Sequence, residues 1–226
     1  MITETKFVAT PEKGEVSAAL LRPENANRLL VLGHGAGAGM YHHHMESIAT
    51  HLAEIGIATF RYQFPFRERG GGRDSQKVSL ATVRSAIEAA HQMAPDLPML
   101  AGGHSFGGRM TYLTAAEDPE NNPLPYIQGI VFFSFPLHAP GKPGIERAAT
   151  LAQVPVPMLF LSGERDIFAK RELIEPLLAE IPQARLCWLE TGDHGYKVLK
   201  RTRQNSQSIY EEAMRHLQTW LQANLQ

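Results

Sequence analysis

The sequence contains a single cysteine, Cys187, among its 226 residues. That excludes an internal disulfide framework and suits a reducing compartment. Cys187 lies in the apolar run from Arg185 to Leu189, which reads as a structural thiol in preference to a nucleophile. The chain has no stretch of 18 apolar residues, so no membrane association is expected. Its opening, MITETKFVAT, is polar and lacks the apolar core of a secretion signal, so a cytoplasmic location is the expectation. An excess of charge of either sign is missing as well, with 22 Lys and Arg against 23 Asp and Glu. Without a basic stripe, nucleic acid is not an expected partner. The short basic run Lys197, Lys200, Arg201 and Arg203 reads as a solvated loop and helix start. No repeat, low-complexity linker or compositional break appears, and residues 1–226 are expected to form one domain.

What is present is an alternation of short apolar runs with helical periodicity. Arg28 to Leu32 reads as a buried strand and leads into a glycine-rich loop, Gly33 to Gly39. Met45, Ile48, Leu52 and Ile55 recur at helical spacing, and Gly56 stops that helix. Ile57 to Tyr62 reads as a second strand, followed by a Gly/Arg loop from Phe66 to Asp74. Val83, Ile87, Ala90 and Met93 form another helical stripe, ended by Pro95 and Pro98. Met99 to Gly103 is a strand, and Phe106 to Ala116 a helix leaving it. Ile127 to Phe133, Val156 to Leu161 and Ala184 to Leu189 are further strands. Ile209, Ala213, Leu217 and Trp220 line a closing helix. This order predicts an α/β fold, a mostly parallel central sheet with helices on both faces. Phe7 to Thr10 and Val16 to Arg22 are expected to add an antiparallel edge.

Gly103-His104-Ser105-Phe106-Gly107 matches G-x-S-x-G. The pentapeptide is common by chance, but here it stands between an apolar strand and a helical stretch, the setting in which it makes a nucleophile elbow. The bland alternative is a glycine-rich connection with a capping serine. A serine hydroxyl needs a base to take its proton and a third group to orient that base. In the chain order Ser, acid, His, Asp166 follows one late strand and His194 follows the last. Both emerge at the sheet edge where Ser105 stands, the edge at which ligands bind in open α/β sheets. Glu164 and Asp193 are alternatives to Asp166, although Asp193 adjoins His194 and adjacent side chains rarely face each other.

Ten histidines compete for the role of base. His42, His43 and His44 form a run, but neighbours at a helix start diverge and no carboxylate or cysteine spacing supports a metal, so none is expected. His51, His91 and His216 fall on helices as surface groups, and His34 and His104 belong to the motifs as packing groups. Gly33-His34-Gly35-Ala36-Gly37-Ala38-Gly39 lacks the spacing of a dinucleotide fingerprint, and Arg61 stands where that fingerprint needs an acid. No cofactor is expected. The loop instead reads as H-G-x-G, with the N–H groups of Ala36 and Phe106 pairing as an oxyanion hole.

On these residues the chain, from about residue 15 to its end, resembles the α/β-hydrolase superfamily. Ser105-Phe106-Gly107-Gly108-Arg109 and the segment Phe135 to Pro143 are similar to a small lid-less branch near the dienelactone hydrolases. Dienelactone hydrolases proper carry a cysteine where this chain has Ser105. The resemblance implies a serine hydrolase with a catalytic triad of Ser105, His194 and Asp166, acting by acyl transfer on an ester-type bond. A thioesterase or peptidase with the same triad, and a non-catalytic binding or scaffold protein of this fold, are the competing expectations. The short connection between the strands ending near Ser134 and starting near Val156 leaves no room for a large lid. An open site for a small soluble substrate is expected. His138, Lys142 and Arg67 are the candidates for binding it if it is anionic, with Arg69 and Arg73 nearby. Solvated loop charges are the competing reading, and Arg109 reads as a structural ion-pair partner.

Overall fold

The computed structural model describes residues 1–117 and 124–225. The chain runs β1 (Ile2–Thr10), β2 (Gly14–Leu21), β3 (Arg28–Gly33), α1 (His43–Glu54), β4 (Ile57–Tyr62), α2 (Pro65–Glu68), α3 (Gln76–Met93), β5 (Met99–His104) and α4 (Phe106–Ala115). It continues through β6 (Ile127–Phe133), β7 (Met158–Gly163), α5 (Arg171–Ala179), β8 (Ala184–Leu189) and α6 (Ile209–Asn224). The strands form one sheet in the order β1-β2-β4-β3-β5-β6-β7-β8. The first two pairings, β1 with β2 and β2 with β4, are antiparallel and the remainder are parallel.

The central strands are apolar almost without interruption because both faces of the sheet are covered. Successive side chains alternate between the two cores. Leu29 and Val31 of β3 pack on one side with Met99, Phe132 and Phe160, and with the stripe of α3 (Leu80, Val83, Ile87). Leu30 and Leu32 pack on the other with Val131 and Leu161, and with α1 and α6 through Ile48, Leu52, Leu217 and Trp220. Among the described residues, no helix is long and apolar enough to cross a membrane.

Several expectations shift in detail. The seventh strand begins at Met158 and not at Val156, because Pro157 has no N–H to give to a ladder; its carbonyl accepts from the Ile130 N–H at 2.9 Å. The start of the expected Gly/Arg loop belongs to the one-turn helix α2, with Pro65 pre-set at its first position. The edge is longer than expected, since Ile2 to Lys6 at the start of β1 has no buried residue and so shows no apolar face to read. Helix α5 was not apparent in the sequence. Only Ile174 and Leu178 are buried on it, and Pro176 lies inside it. The basic run before α6 is not wholly solvated either. Arg203 is buried against Glu212 at 2.8 Å and also donates to the carbonyls of Glu190 and Gln207.

Candidate active site

β5 ends in a turn so sharp that Ser105 takes φ 51° and ψ −110°, a costly conformation for a residue with a Cβ. The turn crosses the end of β3 at backbone contact. A Cβ added at Gly103 or Gly107 would stand 2.3 or 2.2 Å from the Gly33 carbonyl oxygen, so only glycine fits at either position. The Ser105 N–H donates to the Phe133 carbonyl at 3.1 Å, fastening the turn to β6.

Two late loops reach the same point. The Ser105 hydroxyl lies 2.9 Å from His194 Nε2, and His194 Nδ1 lies 2.8 Å from Asp166 Oδ2. An ionised carboxylate can only accept, so Nδ1 carries the imidazole proton and Nε2 faces the serine as an acceptor. Asp166 is buried, and its other oxygen accepts the Phe168 N–H at 2.8 Å. The Phe168 ring covers His194 at 4.2 Å. Neither alternative acid touches His194: Glu164 accepts the Thr191 N–H at 2.9 Å, and Asp193 folds its own loop by accepting from Gly195 and Lys197.

The glycine loop after β3 is held by His34, which is fully buried. Its Nε2 accepts the Phe64 N–H at 3.0 Å, which leaves Nδ1 to donate to the Gly35 carbonyl at 2.8 Å. Burial pushes the His34 pKa down to about 4, keeping the ring neutral as this pattern requires. In a trans peptide the C=O and N–H point oppositely. Turning the Gly35 carbonyl toward His34 therefore turns the Ala36 N–H away from it. Ala36 and Phe106 both line the cleft above Ser105. Among the described residues, neither of their backbone N–H groups donates to another protein group.

The cleft has a volume of about 710 Å³. Its lining includes His44, from the histidine run, and His104, from the elbow motif. His44 is buried, pairs its Nδ1 with the Tyr210 hydroxyl at 2.8 Å, and packs on the His104 ring at 4.6 Å. Burial, reinforced by His42 and His43, pushes His44 down to about 3; burial and His44 likewise hold His104 well below the usual imidazole range. His42, which also lines the cleft, caps α1 by accepting the His44 N–H at 3.3 Å.

The three basic candidates fall elsewhere. His138 is buried, with Nδ1 donating to the Ala139 carbonyl and Nε2 accepting the Lys170 N–H, so it braces two loops and does not face the cleft. Lys142 is exposed at the turn closed by its own N–H on the Ala139 carbonyl, and Arg67 is exposed on α2. None of the three lines the cleft; Arg73, Arg109 and Arg147 do. Arg147 and Phe168 had no local sequence signal, because each lies in a connection without periodicity. Cys187, on β8, is only half-buried, and burial pushes its thiol upward.

Residues 26–222 match a family model described as an alpha/beta hydrolase domain. The structure is similar to that of a dienelactone hydrolase from Anabaena variabilis ATCC 29413 (TM-score 0.72, 17% identity, covering 100% of this chain and 99% of that one). It is also similar to Est1E from Butyrivibrio proteoclasticus (TM-score 0.71, 15% identity, covering 98% and 99%). A third similar structure is XC6422 from Xanthomonas campestris, described as an α/β serine hydrolase without lid (TM-score 0.70, 18% identity, covering 98% and 94%).

Proposed function

The chain belongs to the α/β-hydrolase family, and from that premise we propose that it is a serine hydrolase of small, soluble ester-type substrates. The observation that carries this reading is the unbroken chain from Ser105 through His194 to buried Asp166, at 2.9 and 2.8 Å. Ser105 attacks the carbonyl carbon while His194 Nε2 takes the hydroxyl proton. Asp166 stabilises the imidazolium that results and preserves the tautomer. The charge developing on the carbonyl oxygen is received by the N–H groups of Ala36 and Phe106. Each such donor is worth on the order of 10²- to 10³-fold in rate. His194 then returns the proton to the leaving alkoxide, and water, deprotonated by the same imidazole, releases the acyl group from Ser105.

The connection between β6 and β7, residues 134–157, holds only two short 3₁₀ turns, Glu146–Ala148 and Leu151–Gln153, and no helical lid. An unlidded cleft supports a small soluble substrate over a lipid aggregate. A thioester or peptide would use the same groups, but an ester asks least of the leaving-group protonation. The decisive experiment is labelling with a neutral alkyl fluorophosphonate. Wild type is expected to label at Ser105, and Ser105→Ala is not. An unlabelled wild type would favour a binding or scaffold protein instead.

A further inference from the structure

We infer that the substrate carries an anionic oxyacid group, a carboxylate or a phosphate, seated on Arg109 and Arg147 with Arg73 at the mouth of the cleft. This rests on the hydrolase reading of Ser105 and names the substrate class that site takes.

Among the described residues, the cleft wall contains three arginines and no aspartate or glutamate. None of the three forms an ion pair among the described residues. Arg109 is the most exacting case. It stands one helical turn beyond Ser105, its own N–H donating to the Ser105 carbonyl at 3.0 Å. Its Nε is shut off from solvent and has no hydrogen-bond partner among the described residues. Burial, with Arg147 and Arg73 close by, makes its charge harder to hold. A half-buried cation without a partner is costly, and like charges gathered in one cleft add to the cost. Neither serves the fold. Both are relieved when an anion enters, and a guanidinium fork grips carboxylate or phosphate oxygens in pairs.

The placement also limits the ligand. One turn of helix rises roughly 5.4 Å, so the anion lies a few bonds from the carbonyl that Ser105 attacks. Arg147 comes from the first 3₁₀ turn of the connection that stands in place of a lid. The buried Tyr112 of α4 donates its hydroxyl to the Arg147 carbonyl, tying that turn to the nucleophile helix. Two surface grooves elsewhere, beside Leu225 and beside Tyr126, are smaller, and neither has a serine–histidine pair on its wall.

The test compares kcat/KM for 4-nitrophenyl hemisuccinate and 4-nitrophenyl 3-phosphonopropionate, each against its methyl-capped counterpart. Wild type is expected to prefer the free acid about tenfold or more in at least one arm, and the preferred arm identifies the anion. Added salt should shrink the preference. Arg109→Gln and Arg147→Gln should each cut the ratio about tenfold, with Arg109→Lys recovering part of it. Arg147 sits on a surface turn, so its variant still decides the matter if Arg109→Gln does not fold. Ratios near one in both arms, or ratios unchanged in the folded variants, would overturn the inference. If the fluorophosphonate still labels Ser105, the hydrolase reading survives that loss; without labelling, both readings go.

Discussion

Asp166 illustrates how much one buried side chain can carry. It accepts from His194 and from the Phe168 N–H, so it orients the His194 ring and shapes the loop that covers it. Asp166→Asn replaces an acceptor with an amide that can present N–H to the imidazole and invert its tautomer. On the proposed mechanism kcat should fall by on the order of 10³- to 10⁴-fold, with little change in stability. Steady-state kinetics beside a denaturation curve would check both halves. The neutral histidines allow a different forecast. His34 at about 4, His44 at about 3 and His104 well below the usual range stay neutral in the folded protein at pH values above these, where only the unfolded chain takes up the protons. Stability from these groups is complete above the unfolded pKa of about 6.5. It is lost as pH falls from there through the folded values, because the unfolded chain binds more protons throughout that window. Each contributes a slope of up to about 1.4 kcal/mol per pH unit. The urea midpoint should drop steeply between pH 6.5 and 4.5 (values of about these), and a flat profile across that range would refute the assignment.

Among the elements, the elbow joining β5 to α4 depends on contact with β3 more than on its own torsions. Gly107→Ala drives a methyl group into the Gly33 carbonyl, backbone against backbone, where neither side can yield cheaply. A loss of about 1–3 kcal/mol is expected, together with slower fluorophosphonate labelling, because the Phe106 N–H moves with the turn. Labelling at the wild-type rate would show that the turn tolerates the shift. A second element forecast concerns the segment between β8 and α6, which carries His194. Arg203 and Glu212 are a buried pair there, and Glu212 also accepts the Glu190 N–H. Glu212→Ala leaves Arg203 buried without its counter-charge, and about 3 kcal/mol of stability should be lost, read from chemical denaturation. This pair was not legible in the basic run around Arg203, because Glu212 sits on the face of α6 that closes over that segment. The strands were legible for the opposite reason. An interior parallel strand must be apolar on both faces, and that shows in a window of six residues. Helix α5 shows only two buried positions and a proline in nine residues, so it left no pattern to read.

For the whole molecule, the consequential feature is the short crossover from β6 to β7. Where a lid could stand there are two 3₁₀ turns and an open cleft. Rates with p-nitrophenyl esters should peak at short acyl chains and decline with length. No jump in rate is expected as the substrate passes its solubility limit, since there is no lid for an interface to open. A preference for long chains would contradict the open site.

The α/β architecture, the elbow at Ser105 and the order in which Asp166 and His194 follow it were all readable from the chain. Each is either a periodicity imposed by burial on a regular element or a residue placed at a strand end, and both are local. The sequence left Asp166, Glu164 and Asp193 as alternatives, and of these it is Asp166 that loop geometry brings within hydrogen-bond reach of His194. Of the basic residues expected at the cleft, Arg73 stands on its wall, whereas His138, Lys142, Arg67 and Arg69 do not; Arg109 and Arg147 stand there instead. Charge in a loop says that a residue avoids the core, but not which way it faces. That direction follows from how the loop after β6 docks on α4, and from the register that brings the two together. Such docking is set by packing between segments distant in the chain, and it exists only once the sheet has formed.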